Sequence, residues 1–286
     1  MKISIAVVGF GDFGSRFVEW LKKMKADVDV VAVVDTDPVK YEVGVQAGLP
    51  MHSSIRVIPN EVLSKVQVFI DCTAKGQGVE NLGLYQALGK PAVFQNGEDR
   101  SLCQLFRYGA TAPDIAYFRI PQCSALATMS VFEALHPLLD IRSVYTLHAK
   151  INNKDKMLGL GDKSSADITA LAGIPATVDV WYLRETPKQG CTQYVYHGNL
   201  HFQCGNVAST ADQILEFLTE ASVPICSQGI DSLTSSRSEH THVVAESISV
   251  QGNDVRLNVI SWTPEVNFPH NLAAIKLLTS PFFPVV

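Results

Sequence analysis

The sequence predicts an α/β fold, in which a doubly wound parallel sheet is followed by a second α+β domain with a mixed, mainly antiparallel sheet. Three observations predict it. Apolar runs alternate with helical patterns through the first 120 residues or so. A glycine-rich turn joins the first run to the first helix. Beyond about residue 140, alternating and β-branched stretches dominate, as in antiparallel sheets. At 286 residues the chain is long enough for two domains.

The first half of the chain reads as strand, helix, strand. Wholly apolar runs are typical of buried parallel strands. They occupy residues 3–8, 28–35, 66–73 and 91–96. Between them, helical spacing is clearest at 12–24 and 78–89. Strands that alternate with helices in this way predict a doubly wound sheet.

The second half reads as a sheet covered by helices. Strand-like stretches occupy 142–151, 192–207, 241–251 and 254–262. The last two are separated by Gly-Asn-Asp, a hairpin turn signal. Helical patterns occur at 165–173 and 209–220, and 271–279 reads as a closing helix. We expect the domain boundary between residues 120 and 140.

Composition narrows the class of protein. A net charge of −5 argues against general nucleic-acid or membrane-surface binding, since both partners are polyanions. No apolar run reaches membrane-spanning length, and the opening residues read as a strand rather than a signal peptide. The six cysteines show no C-x-x-C pair or zinc spacing. We therefore expect a cytoplasmic protein with reduced thiols and no structural metal.

A G-x-G-x-x-G motif lies between the first strand and the first helix, at residues 9–14. In this Rossmann-type arrangement Gly9 permits the tight turn, Gly11 lets a pyrophosphate approach the backbone, and Gly14 lets helix and strand pack closely. The helix N-terminus then offers unpaired N–H groups to phosphate. The motif predicts a dinucleotide site that includes the whole turn: Gly9, Phe10, Gly11, Asp12, Phe13 and Gly14.

Asp35 ends the second predicted strand, 21 residues after Gly14. A carboxylate at this place accepts hydrogen bonds from the ribose hydroxyls of NAD, and its charge repels a 2′-phosphate. This favours NAD, although Lys40 leaves NADP open. The alternative is that Asp35 only caps the turn Asp-Thr-Asp-Pro.

Cys123 lies in "RIPQCSALATMSVFEAL", where an extended segment gives way to a helical pattern. A helix N-terminus stabilises a thiolate, which favours a nucleophile, and the backbone N–H groups of Ser124 and Ala125 are candidate oxyanion donors. Cysteine is also among the most buried residue types, so a structural core thiol is the competing interpretation.

Five segments occur in a fixed order: "VFIDCTAKGQG" (68–78), "PAVFQNGED" (91–99), "FRIPQCSALA" (118–127), "NLHF" (199–202) and "EVNFPHNLAAIKL" (265–277). This order resembles the archaeal type of glyceraldehyde-3-phosphate dehydrogenase. The resemblance is strongest at 1–20, 66–135 and 240–280, and poor at 150–190.

The resemblance implies both an architecture and an activity. It implies a dinucleotide-binding domain at 1–122, to which a C-terminal helix at 268–286 returns, and a catalytic domain at 123–267. It implies that a cysteine thiolate attacks an aldehyde, that hydride passes to NAD or NADP, and that the acyl group is then released. It also implies a homo-oligomer, a dimer or a tetramer, acting on a small-molecule aldehyde or acyl substrate.

Carried over by position, the resemblance assigns residue roles. Cys123 matches the nucleophile and His201 the histidine that activates it. His148, His240 and His242 remain reserve candidates. The positions that match the family's cofactor site are Thr73, Ala74, Lys75, Gly76, Asn96, Gly97 and Asn271.

The sequence departs from the family at the substrate site. The arginine pair that grips a phosphorylated substrate is absent, and Lys150 stands nearest to its place. Ser124 follows the cysteine where the family has Asn-Thr-Thr. We expect Ser124 and Lys150 to contact a less polar or unphosphorylated substrate. Two alternatives stay open: a carbonyl or imine reductase that forms no covalent intermediate, and a non-catalytic cofactor-binding sensor.

Overall fold

The computed structural model describes residues 2–95, 103–107, 116–151, 158–160, 162–183, 195–227 and 238–280. The chain divides into two compact units. The first unit comprises Met1–Pro121 and Phe268–Val286, and the second comprises Gln122–Asn267.

A parallel sheet of seven strands forms the centre of the first unit. Its strands are β1 (Ile3–Val8), β2 (Val28–Val34), β3 (Met51–His52), β4 (Val68–Asp71), β5 (Ala92–Phe94), β6 (Gln104–Leu105) and β7 (Tyr117–Arg119). They lie in the order β3-β2-β1-β4-β5-β7-β6. The strand order reverses beside β1, so ligands are expected at the carboxyl end of this strand.

Five helices belong to the first unit in the described part of the chain. They are α1 (Asp12–Lys23), α2 (Pro38–Gln46), α3 (Asn60–Leu63), α4 (Gln77–Ala87) and α8 (Phe268–Leu278). Helix α8 comes from the end of the chain and packs on α1. The ring of Phe268 lies 5.4 Å from that of Phe13 and 5.5 Å from that of Phe17. Because aromatic burial is a large stabilising contribution, these contacts fix α8 to this unit.

A mixed sheet of seven strands forms the second unit. Its strands are β8 (Ile141–Ile151), β9 (Leu158–Leu160), β10 (Ala176–Leu183), β11 (Val195–Cys204), β12 (Ile225–Cys226), β13 (His242–Gln251) and β14 (Asp254–Trp262). The order is β12-β13-β14-β11-β8-β10-β9. The β10–β8 and β12–β13 pairs are parallel and the other pairs antiparallel.

Helices α5 (Cys123–Leu135), α6 (Asp162–Ala172) and α7 (Ala211–Glu220) pack with this sheet. Helix α5 is apolar around most of its circumference, which is typical of a helix buried on several sides. It contacts α6, α7 and β11. Helix α5 is therefore fixed by its neighbours, while Cys123 at its N-terminus is partly exposed.

The predicted fold class is confirmed by the two sheets. The elements that the sequence did not predict are the helices α2 and α3 and the strands β3, β6, β9, β10 and β12. Helix α2 exposes Val39, Val43 and Val45 and has no clean apolar face, so its periodicity is weak. Within the described residues, every helix is too short or too polar to cross a bilayer.

Candidate functional site

The glycine turn of the first unit follows β1 and opens α1. Gly9 has a φ of 92°, and a Cβ there would lie 2.8 Å from the Cys72 carbonyl carbon. A Cβ on Gly14 would collide with the Gly9 carbonyl oxygen. Both positions therefore exclude a side chain. At Gly11 the added Cβ meets only Lys40 Nζ, at 4.0 Å, so the backbone there is open to a close neighbour.

Asp35 ties this turn to the end of β2. Its Oδ2 accepts a hydrogen bond from the Phe10 backbone N–H at 2.6 Å, and its Oδ1 accepts one from the Asp37 N–H at 2.8 Å. Each carboxylate oxygen keeps a further lone pair. Asp35 thus caps the turn Asp-Thr-Asp-Pro and also lines the cavity beside it, and its contact with a ribose stays a prediction.

A cavity of about 360 Å³ lies at the carboxyl end of β1. Its lining includes five of the predicted cofactor residues: Gly9, Gly11, Asp35, Thr73 and Ala74. The sequence analysis missed several polar residues that also line it: Thr36, Asp37, Ser54, Arg56, Gln77 and Asn81. They lie on loops and helix starts after different strands, and only the sheet order brings them together.

The turn after β4 is held by a buried carboxylate that the sequence analysis overlooked. Asp71 Oδ1 accepts from the Thr73 N–H at 3.0 Å and also from the Thr73 hydroxyl. Its Oδ2 accepts from Asn81 Nδ2 at 2.9 Å and from the Tyr85 hydroxyl at 2.8 Å. Burial and the Asp71 charge raise the pKa of Tyr85 well above its usual value, so the phenol stays a donor.

The other predicted cofactor residues have different surroundings. Asp12 forms an exposed ion pair with Arg16 at 2.7 Å, and Phe13 packs against α8. Lys75 is exposed, and Gly76 takes a φ of 95° as the N-cap of α4. None of these four predicted residues lines the cavity.

Asn271 on α8 is fully buried and pairs with Gln95, which follows β5. Gln95 Nε2 donates to Asn271 Oδ1, and Asn271 Nδ2 donates to Gln95 Oε1 at 3.3 Å. The two amides therefore join α8 to the carboxyl end of the parallel sheet. Asn96 and Gly97 lie outside the described residues.

Cys123 is the first residue of α5 in the second unit, and it is partly exposed. Its thiol donates to the Tyr196 hydroxyl, with Sγ 3.2 Å from the phenolic oxygen. The N-cap residue Gln122 makes no side-chain cap, so the first N–H groups of α5 keep the capacity to stabilise an anion. The four other cysteines that the structure describes are buried thiols: Cys72, Cys103, Cys204 and Cys226.

Two contacts hold the start of α5 against α6. The fully buried Asp167 accepts from the Gln122 N–H at 3.0 Å. The hydroxyls of Ser124 and Ser164 lie 2.6 Å apart, both buried. The Ser124 side chain is therefore engaged between two helices, and no substrate role is assigned to it by this geometry.

His148 on β8 is fully buried on the same sheet face as Tyr196. The two rings meet edge to face, with centroids 5.7 Å apart. Burial lowers the pKa of His148 to about 4, so its imidazole is neutral near pH 7. His148 Nε2 lies 3.4 Å from the Thr128 hydroxyl, which donates its own proton to the Ser124 carbonyl at 3.0 Å.

Gly198 on β11 makes room for this imidazole. It lies directly opposite His148 in the β11–β8 register. A Cβ on Gly198 would lie 2.9 Å from His148 Cε1 and 2.7 Å from Val259 Cγ2. No real side chain fits there without displacing its neighbours.

The structure does not bring His201 to Cys123. Side chains alternate along β11, so His201 projects from the face opposite to that of Tyr196. Its Nε2 lies 3.0 Å from Asp254 Oδ1 on the neighbouring strand. The sheet thus separates this imidazole from the thiol. Lys150 lies opposite Tyr196 in the register, but its side chain is outside the described part of the structure.

Sequence comparison finds curated relatives among the archaeal dehydrogenases. The chain is 26% identical over 160 residues to glyceraldehyde-3-phosphate dehydrogenase of Pyrococcus abyssi, which is 49% of this chain and 47% of that protein. It is 31% identical over 120 residues to glyceraldehyde-3-phosphate dehydrogenase 2 of Methanosarcina acetivorans, or 35% of this chain and 34% of that protein. The resemblance to archaeal glyceraldehyde-3-phosphate dehydrogenases is confirmed. The matches span about half the length of these relatives or less, and no family model matches the chain.

Solved structures share the fold along the whole chain. Aspartate semialdehyde dehydrogenase II of Vibrio cholerae, in complex with ASA, superposes with a TM-score of 0.70 and covers 99% of this chain and 100% of its own, at 12% identity. A probable aspartate-semialdehyde dehydrogenase of Pseudomonas aeruginosa gives a TM-score of 0.73, with 97% of each chain covered, at 13% identity. At such identity the likeness is one of fold alone.

Proposed function

We propose that the protein is a nicotinamide-dependent oxidoreductase that oxidises a small aldehyde, or reduces an acyl group, through a thioester on Cys123. The observation that carries the proposal is the thiol itself. It is partly exposed, begins a buried helix and is hydrogen-bonded to a phenol. These neighbours support a nucleophilic role for the thiol over that of a core residue. The names of the relatives support the same reaction class.

The residues of the first unit fit a dinucleotide. Gly11 leaves its backbone open to a pyrophosphate, and the α1 N-terminus offers unpaired N–H groups. Asp35 has lone pairs left for ribose hydroxyls. When bound, the nicotinamide supplies the acceptor or donor of hydride.

In the second unit, Cys123 adds to the aldehyde carbon to give a thiohemiacetal. The N–H groups of Ser124 and Ala125, in the first turn of α5, are the candidate donors to the oxygen that gains charge. Loss of hydride and of the hydroxyl proton leaves a thioester on Sγ. Transfer of the acyl group to an acceptor then frees the thiol.

NAD is the cofactor that we propose. Asp35 borders the cavity and disfavours a 2′-phosphate. Of the two basic residues in the lining, Lys40 lies 3.8 Å from Asp37, which partly offsets its charge, and Arg56 is exposed. Titration of the protein with NAD and with NADP measures the preference, and tighter binding of NADP would overturn this choice.

The substrate that we propose is an aldehyde without a phosphate group, because the sequence lacks the arginine pair that would bind one. The test is a panel of aldehydes, with and without phosphate, each offered with oxidised cofactor and with phosphate, water or a thiol as acyl acceptor. We expect reduced cofactor to accumulate, and peptide mass spectrometry to find the acyl group on Cys123 when the acceptor is withheld. Turnover with no covalent adduct would instead favour the non-covalent reductase. Cofactor binding without turnover on the whole panel would favour the sensor.

A further inference from the structure

We propose that the Tyr196 hydroxyl relays the proton of Cys123 during attack on the aldehyde, and that His148 positions Tyr196. This inference rests on the proposed function, because it assigns the proton-handling group of the same reaction. Tyr196 touches the reacting sulfur and is therefore the catalytic residue. His148 acts only through it.

Tyr196 is the phenol that the fold brings to the thiol. Its side chain is 5% exposed, and its hydroxyl accepts the Cys123 S–H at 3.2 Å. A hydroxyl has both a proton to give and lone pairs to accept one. Because this hydroxyl lies next to the attacking sulfur, we expect the carbonyl oxygen of the carbon under attack to come within the reach of about 3 Å that proton transfer requires.

The tautomer of His148 follows from its neighbours. Thr128 donates its one hydroxyl proton to the Ser124 carbonyl, so it accepts from His148, and Nε2 carries the imidazole proton. The other nitrogen, Nδ1, is a buried acceptor with no hydrogen-bond partner among the described residues. Because a buried polar atom without a partner is costly, its retention here indicates a use for the ring.

The geometry indicates that His148 orients the ring of Tyr196. The imidazole and the tyrosine ring meet edge to face at 81°, and Gly198, opposite His148 in the register, leaves room for the imidazole. The Cys123 thiol donates to Tyr196, whereas His148 directs its Nε2 at the Thr128 hydroxyl. The proton of the thiol therefore goes to the phenol rather than to His148. His201, engaged with Asp254 on the other sheet face, does not compete for this role.

The relayed step balances as one addition. The bond between Sγ and the carbonyl carbon forms while the carbonyl π bond breaks. The thiol proton passes to the Tyr196 oxygen, and the Tyr196 proton passes to the carbonyl oxygen. The products are a neutral thiohemiacetal and an unchanged phenol, with no oxidant consumed at this stage.

Alkylation of Cys123 tests the contact without any substrate. The rate of modification of the Cys123 peptide by iodoacetamide is measured by mass spectrometry in wild type, Tyr196→Phe and Tyr145→Phe. We expect about tenfold slower alkylation in Tyr196→Phe, because the thiolate loses a hydrogen-bond donor. Tyr145→Phe is the matched control, since its hydroxyl bonds Asp179 on the opposite sheet face. Wild-type alkylation in Tyr196→Phe would overturn the proposal.

Turnover tests the relay and the positioning role together. Tyr196→Phe is expected to lower kcat by about a hundredfold or more, with cofactor affinity unchanged. In the protein that keeps Tyr196, His148→Ala is expected to lower kcat by about tenfold. In the Tyr196→Phe variant, the same His148→Ala change is expected to lower kcat no further. Equal losses in both backgrounds would show a merely structural role for His148 and contradict that part of the proposal.

The two proposals fail in distinguishable ways. If wild type oxidises no aldehyde in the panel, the proposed function fails, and the alkylation rates still decide whether Tyr196 governs the thiol. If wild type turns over through a Cys123 adduct and Tyr196→Phe keeps kcat within twofold, the proposed function stands and the relay is wrong.

Discussion

At the scale of single residues, the packing of the His148 ring in the second unit requires a glycine at position 198, which belongs to no sequence motif. Gly198 lies under the His148 ring, and that ring lies against Tyr196. A glycine inside a predicted strand often indicates the close approach of another group. The group that approaches Gly198 is His148, on a strand about fifty residues earlier, and this pairing cannot be predicted from the local sequence.

Gly198→Ala is expected to lower the free energy of unfolding by about 1–3 kcal/mol, because the added methyl meets His148 and Val259 below contact distance. Urea denaturation measures it. Gly83→Ala is the control: it lies in α4 with nothing within 4 Å of the added Cβ, and alanine favours a helix. Equal stability of Gly198→Ala and wild type would mean that the imidazole does not occupy this space.

Asp35 carries the prediction for the cofactor. Asp35→Ala removes the acceptor of the Phe10 N–H and the group that borders the cavity. We expect NAD to bind about tenfold more weakly or worse, with a smaller loss for NADP. Fluorescence titration with both cofactors gives the two affinities. Asp29→Ala, an exposed change on the strand that precedes Asp35, should leave both affinities unchanged. An equal loss in Asp29→Ala would refute a local role for Asp35.

At the scale of elements, signals within one segment predicted the local structure, whereas contacts between distant segments could not be predicted. The turn at residues 9–14, the strand before it and the helix after it are contiguous, so their pattern is complete in the sequence. The strands around it come from distant segments. Asp71 with Tyr85, and Gln95 with Asn271, needed the folded sheet to meet. Helix α2 was missed for a different reason, because its apolar residues do not form one face.

Helix α7 offers the cleanest test of a local signal. Thr210 accepts from the Gln213 N–H at 3.3 Å, and Gln213 returns a bond to the Thr210 N–H at 2.9 Å, which is a capping box. Thr210→Ala should cost about 1 kcal/mol of unfolding free energy. Thr219→Ala, at the exposed far end of α7, is the control for loss of a hydroxyl. A cap variant as stable as this control would show that the box contributes nothing.

At the scale of the whole molecule, each unit contains a histidine that folding keeps uncharged. The pKa of His148 in the second unit and of His270 in the first is lowered to about 4, in both cases by burial. Between the ordinary value of 6.5 and 4 the unfolded chain binds more protons than the folded one. The free energy of unfolding therefore falls as the pH drops through this window.

For His148 the effect amounts to about 3 kcal/mol across the full window. His148→Gln should show a smaller drop in unfolding free energy between about pH 7 and pH 5 than wild type does. Urea denaturation at the two pH values measures the difference, with the exposed His136→Gln as the control. An unchanged pH dependence in His148→Gln would contradict the assignment of a buried neutral imidazole.

The two kinds of sheet were predictable from the hydrophobic patterns of their strands. Strands buried on both faces are wholly apolar, whereas strands buried on one face alternate between apolar and polar residues. The position of Cys123 at the start of a helix was predicted from the change from an extended to a helical pattern. Its hydrogen-bond partner, Tyr196, was not predicted. His201 matches the family by position, whereas Tyr196 reaches Cys123 because side chains alternate along β11, and the strand register decides which face each one takes.

The central claim is that the Cys123 sulfur carries the substrate during turnover. The direct test is the aldehyde-dependent rate of cofactor reduction by Cys123→Ala, beside a titration that shows that its cofactor affinity is intact. If Sγ carries the substrate, the rate falls to background while the affinity stays at the wild-type value. A Cys123→Ala protein that oxidises aldehyde at the wild-type rate would contradict it.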